Sequence, residues 1–195
     1  KGSINKKLIN ISIRLIIRDN MIDFYGFLFI SLVGTILHFV YDWSNHNEYA
    51  SIFSAVNESV WEHMKLVVFP SLVWLLIEIP FIGNNHNFII AKCISLIVMV
   101  LFIPTIFYLF KYLFKKIPFF VDILIFYVAV GLGQYLSDVI LNKPGVSPVY
   151  NYLSLIILIG IYGYFLIATF LPGKGEIYVD PNTKKKGIQG HRFFK

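Results

Sequence analysis

Five apolar stretches of membrane-spanning length, separated by short polar connections, constrain this chain more than any other feature. At a rise of 1.5 Å per residue a helix needs about twenty residues to cross a hydrocarbon core of roughly 30 Å. The runs Ile22 to Tyr41, Lys65 to Ile82, Phe88 to Phe114, Phe119 to Leu141 and Val149 to Leu171 are of that order. In lipid every backbone polar group must be satisfied within the chain, which leaves helices or a closed barrel, and runs this long and continuous select helices. Composition agrees: 57% of the 195 residues are hydrophobic and 14% charged. The expected fold class is therefore all-α, a polytopic membrane helix bundle of about five transmembrane helices. No length remains for a soluble catalytic module, so any chemistry must be built from the helices and their connections.

The organisation expected is a basic amphipathic arm over residues 1–20, a single transmembrane domain over 21–172 and a basic extramembrane tail over 173–195. The arm (Lys1, Lys6, Lys7, Arg14, Arg18) spreads its charge and lacks a small-residue cleavage site, which argues against a cleavable signal peptide and for an interfacial segment. The net charge of +6 is accounted for by anionic headgroups, making membrane lipids the expected partners. Nucleic acid is not expected, since no groove-reading or base-stacking module accompanies the charge. Both termini are basic although an odd span count puts them on opposite sides, so charge does not fix orientation; Lys111, Lys115 and Lys116 join the tail's face. Oligomeric state is equally undetermined. Cys93 lies alone in an apolar run. Pro70, Pro80 and Pro104 are expected to kink their helices locally, and a short interfacial segment is expected around Tyr49 to Ala55.

Five-span connectivity places the end of span one, the start of span two and the start of span four on one membrane face. His38 and Asp42 are four apart on one side of the first helix. Glu58 and Glu62 are four apart at the entrance to the second, beside Asn57, His63 and Lys65, and Asp122 opens the fourth. Ionisable groups at a membrane boundary must pair, bind an ion or line a wet cavity. Two imidazoles and several carboxylates make a ligand set for a divalent ion, zinc favoured, with His38, His63, Glu58 and Asp42 as ligands. A metal-bound water would then serve hydrolysis, with Glu62 and Asp42 as catalytic groups.

Plainer readings compete. Ser59-x-x-Glu62 has the form of a capping box, in which each side chain bonds the other's backbone amide. Lys65 could pair with Glu62 or snorkel, His38 could simply bond Asp42, and Tyr41, Trp43, Tyr49 and Trp61 suit an interfacial aromatic belt. On the opposite face Glu78, His86, Lys92, Gln134, Ser137 and Asp138 form a second polar set, expected to contain the pairs Glu78–Lys92 and Asp138–Lys143. Gly131, Gly133, Gly160 and Gly163 suit close helix packing.

The strings Leu37-His38-Phe39-Val40-Tyr41-Asp42-Trp43-Ser44 and Asn57-Glu58-Ser59-Val60-Trp61-Glu62-His63-Met64-Lys65-Leu66, followed by Phe69-Pro70, resemble an uncharacterised family of small multi-pass bacterial membrane proteins carrying a domain-of-unknown-function label. The likeness runs from Phe24 to about Gly187, with residues before Asp23 as an extension. It implies an integral protein of the bacterial cell membrane and supplies no reaction. A boundary site of His and Asp is also similar to that of the alkaline ceramidase and progestin-receptor superfamily, although this chain has fewer spans and only two candidate histidine ligands. Three functions stay open: a metal-dependent hydrolase of a lipid or lipid-linked substrate, a small transporter or lipid-binding protein, and a structural or partner-binding subunit.

Overall fold

A computed structural model of the chain describes the backbone of residues 2–114 and 118–192, and side chains from 21 onward with the exception of Phe119. Lys1, Lys115, Lys116, Phe193, Phe194 and Lys195, and the side chains of Lys6, Lys7, Arg14 and Arg18, lie outside the described set. Among the described residues six α-helices follow one another: α1 (Gly2–Trp43), α2 (Glu48–Phe53), α3 (Val60–Ile82), α4 (Phe88–Leu113), α5 (Phe119–Leu141) and α6 (Pro148–Phe170). Two 3₁₀ turns, Glu176–Tyr178 and Gly187–Gly190, complete the tail. Five of the helices contain a stretch long and apolar enough to cross a membrane: Met21–Trp43, Val60–Ile82, Phe88–Leu113, Phe120–Leu141 and Pro148–Phe170. The expected all-α membrane bundle is the observed one.

The second span departs most from the sequence reading, starting at Val60 rather than Lys65. Ser59 caps it, its Oγ accepting the Glu62 amide at 3.4 Å. The reciprocal half of the capping box is absent: the Ser59 amide donates to Asn57 Oδ1 at 2.8 Å, and Glu62 turns its carboxylate elsewhere. Glu62, His63 and Lys65 thus occupy the first turns of a membrane helix and not the loop before it. The α1 backbone runs unbroken from the N-terminal arm into the first span. Pro70, Pro80 and Pro104 all sit inside helices that continue through them, and α2 is the short segment expected between the first two spans.

The core lies where α1, α3, α4 and α5 meet. Ile30, Val67, Val68, Leu96, Met99 and Val130 are buried there, forming an apolar layer across the middle of the bundle. Close approach is made possible by glycines facing neighbouring helices. A Cβ on Gly133 would meet Met99, and one on Gly34 would meet the Leu66 carbonyl and the Phe126 ring. Gly160 and Gly163 instead face open space within the chain, because α6 packs through its other side. At Gly34 the obstruction is backbone, which cannot swing away. Gly34→Ala is accordingly expected to lower unfolding free energy by about 1–3 kcal/mol, the usual cost of overpacking, as read from chemical unfolding in detergent micelles.

Apolar side chains cover the outer faces, among them Leu76, Leu101, Leu124, Ile156, Ile159 and Leu171. This is the surface expected where the solvent is lipid. Trp43 at 70% and Tyr49 at 81% exposure fit an interfacial belt. Tyr41 and Trp61 do not: both are buried, and Trp61 stacks on Phe165 with centroids 4.1 Å apart and lies 4.7 Å from Tyr178. Aromatic residues near a boundary were assigned to the headgroups, but these two join the span to the tail.

Candidate functional site

The tail returns to the bundle and closes over the ends of α1 and α3. Asp180 organises it, accepting the Asn182 and Thr183 amides through Oδ1 and the Glu58 amide through Oδ2 at 2.9 Å. Gly187 adopts a left-handed φ of 54°, open to glycine at no steric cost, and its carbonyl accepts from Asn57 Nδ2 at 2.8 Å. Asn57 is therefore a buried strut between tail and bundle. At the end of α1, Asn45 and His46 adopt left-handed backbone and turn the chain so that His46 lies 3.5 Å from Asp42. His191 and Arg192 arrive from the tail on the same carboxylate, at 2.9 Å and 2.6 Å.

Among the described residues two groups of potential ligands result. His38, Glu58 and His63 present donor atoms within 4.8 Å of one another, and so do Asp42, His46 and His191. Three of the four ligands expected from sequence, His38, His63 and Glu58, are brought together. Asp42 is not with them, although it lies one turn from His38. Its carboxylate is drawn to Arg192 and the tail histidine, partners that no local pattern in the sequence links to it. His191 escapes a sequence reading for the same reason, whereas His46 is only four residues from Asp42 but lies past the end of α1, where the left-handed turn at Asn45 and His46 brings it back.

Within the first group His63 Nε2 lies 3.5 Å from Glu58 Oε2, and the two imidazole rings stand 5.5 Å apart. The contact with His63 holds the Glu58 carboxyl below the usual carboxylate range, against the opposing effect of burial. His38 Nδ1 is buried with no hydrogen-bond partner among the described residues, as is Asp122 Oδ1. His38, His63 and Asp122, with Thr35 and Tyr127, are the polar residues lining a mainly apolar cavity of about 280 Å³ whose walls include Phe39, Leu66, Ile103, Phe107 and Phe126. His38 and Phe39 also line a second, polar cleft of about 330 Å³ with Asp42, Glu58, Asp180, Asn182 and Arg192. The imidazole of His38 thus stands where an apolar chamber meets a polar one.

Glu62 belongs to neither cavity. Its Oε2 accepts from the Val56 amide at 3.1 Å and from Lys65 Nζ at 2.9 Å, and Lys65 donates further to the Ser51 carbonyl at 2.6 Å. The pair is buried, with Glu62 2% and Lys65 0% exposed. A carboxylate so engaged is placed to hold α2 and the preceding loop on α3, and it has no opening toward the chamber in which a general base would act.

The opposite face carries a separate polar set. Lys92 Nζ bonds Glu78 at 2.6 Å, Asp23 at 3.0 Å and Ser137 at 2.8 Å. The Glu78–Lys92 pair matches expectation. Asp138 instead accepts from Asn142 Nδ2 at 3.0 Å, the nearer neighbour one helical turn on, where Lys143 was expected.

Burial also places the His191 imidazole below its ordinary pKa, with Asp42 opposing only in part. A depressed folded value means that the neutral ring suits the folded state. Its contribution to tail docking is therefore complete above the ordinary value of about 6.5 and lost as pH falls through the depressed one. Proteolysis of the metal-free protein is expected to release the tail faster at pH 5 than at pH 7.5, and His191→Gln should flatten that difference.

Comparison with known families matches residues 14–188 to a family described as "Family of unknown function (DUF6512)". The match begins at residue 14, so part of what was read as an N-terminal extension belongs to the family's own length. No curated protein and no solved structure matches the chain.

Proposed function

The chain belongs to DUF6512, a family of unknown function, and from its boundary site we propose a membrane-embedded, metal-dependent hydrolase acting on a lipid or lipid-linked substrate. One observation carries this reading: the donors of His38, Glu58 and His63 converge at the junction of an apolar chamber and a polar cleft. Two imidazoles and a carboxylate are a familiar three-ligand set for catalytic zinc, leaving a fourth position for water. Ligands around a tetrahedral zinc are about 3.4 Å apart, so closing the donors requires roughly an ångström of side-chain movement. Bound there, the metal would lower the pKa of its water and polarise the scissile group. The apolar chamber suits an acyl or isoprenoid chain and the polar cleft a headgroup, with the scissile bond beside His38. Asp122, on the chamber wall with an uncommitted carboxylate oxygen, takes the general-base role in place of Glu62.

The converged ligands weaken the structural-subunit reading, which a separation of Glu58 and His63 from His38 would have favoured. The buried apolar layer of Ile30, Val67, Val68, Leu96, Met99 and Val130 between the two polar faces weakens the transporter reading. Lipid binding without chemistry keeps one favourable observation, the apolar chamber itself. The deciding experiment is the metal content of protein purified without chelator or affinity metal, joined to hydrolysis of lipid esters by metal-reconstituted protein. One divalent ion per chain and metal-dependent hydrolysis are expected. Stoichiometric absence of metal rejects the enzyme, and lipid retention by such protein would favour the binding reading.

A further inference from the structure

The Lys92 cluster, at the other end of the bundle from the candidate metal site, contains more acceptors than its donors can serve. Each of the four membrane helices packed there supplies a member: Asp23 from α1, Glu78 from α3, Lys92 from α4, and Gln134, Ser137 and Asp138 from α5. The ammonium of Lys92 has three N–H groups, and all three are spent on Asp23, Glu78 and Ser137. The second oxygen of each carboxylate, Asp23 Oδ2 and Glu78 Oε2, is buried with no partner among the described residues. So is Oε1 of Gln134, one turn from Ser137 on α5 and itself 4% exposed; against these three oxygens stands one buried N–H without a partner among the described residues, Trp74 Nε1, beside Gln134.

Charge points the same way as the hydrogen-bond count. Two carboxylates against one ammonium leave the cluster one negative charge in excess. Asp138, the remaining acidic group on the facing helix, adds to that excess. Among the described residues no further cation contacts the cluster. In a low-dielectric surrounding an uncompensated carboxylate is costly, and the usual relief is to take up a proton. That single proton would do two things. It would neutralise the triad of Asp23, Glu78 and Lys92, and it would convert one acceptor into a further donor, able to serve an unpartnered oxygen of Asp23, Glu78 or Gln134.

We propose that Asp23 and Glu78, held together by Lys92, form an intramembrane proton-binding site that carries one exchangeable proton at neutral pH. Its route to solvent is the open groove of about 250 Å³ lined by Asp23, Phe27, Gly131, Gln134, Tyr135 and Asp138. The buried apolar layer described above separates it from the His38 chamber, so the proton exchanges with one membrane face only. The site is independent of the hydrolase reading and survives its failure.

Infrared difference spectroscopy of the full chain in lipid nanodiscs tests this. At pH 7 the wild-type protein is expected to show a protonated-carboxyl C=O band that shifts in D₂O and disappears on alkaline titration. Glu78→Gln and Asp23→Asn each leave one carboxylate for one ammonium and should each abolish the band. Lys92→Met leaves two carboxyls with no cation and should raise its amplitude. ¹³C-labelled glutamate or aspartate in the wild-type protein assigns the band without any substitution. Absence of the band at pH 7, its survival in both amide variants, or its indifference to both labels overturns the proposal. So does a wild-type protein that lacks the band and is stabilised by sodium chloride but not by choline chloride, since a metal cation would then occupy the proton's place.

Discussion

Replacing Lys65 by methionine is expected to lower unfolding free energy by about 3–5 kcal/mol, the usual cost of stranding one charge of a buried pair. The ammonium is inaccessible to solvent and bonds both Glu62 and the Ser51 carbonyl. Without it the Glu62 carboxylate keeps, among the described residues, the Val56 amide. The double variant Lys65→Met, Glu62→Leu should recover most of the loss, because an apolar pair of similar volume removes the desolvation penalty that the ion pair carries. Unfolding of the four proteins of this cycle in mixed detergent micelles measures the coupling. A near-additive result would mean that the two side chains do not depend on each other, contrary to the geometry. The cycle also separates structure from chemistry: Glu62→Gln should impair stability while leaving metal content of the folded fraction unchanged.

The second large effect concerns the proposed metal. His38→Ala and His63→Ala each remove one of three protein ligands. Losing an outer-shell partner of a metal ligand commonly costs 10–100-fold in affinity, so losing a ligand outright should cost roughly more than 100-fold and leave purified protein essentially metal-free. Hydrolysis should fall with it. Glu58→Gln should weaken binding less completely, since an amide oxygen can still coordinate but brings no charge. Asp42→Asn is the informative comparison. Asp42 stands with His46, His191 and Arg192 and not with the three converging ligands, so its loss should loosen the tail while the ion is retained. Equal metal loss in Asp42→Asn and His63→Ala would move the site to the cleft and contradict the ligand set proposed.

How far the sequence could lead depended on whether each interaction was local. Spans, their order and the face shared by His38, Glu58, His63 and Asp122 were legible because they follow from apolar length and connectivity. Lys65 with Glu62 was legible because three residues on a helix is a local spacing. Glu62 as a base and Asp42 as a ligand were read from chemistry and spacing, but the structure gives each of them partners that compete for the same oxygens. For Asp42 the two nearest partners, His191 and Arg192, come from the tail, beyond the reach of periodicity. Burial of Trp61 and Tyr41 likewise depends on what the tail and the neighbouring helices do.

By itself the sequence determined that this chain is a bundle of five apolar helices with its polar side chains gathered at two ends, because the cost of exposing backbone and charge to lipid leaves few alternatives. Which of those side chains meet was decided only in three dimensions. The return of the tail takes Asp42 into a cluster with His191 and Arg192, and the early start of α3 buries Glu62 against Lys65. Four-helix packing at the far end gathers two carboxylates around a single ammonium. Each outcome is a competition for a limited number of hydrogen-bond partners, and such competitions are settled by distances that no one-dimensional pattern contains.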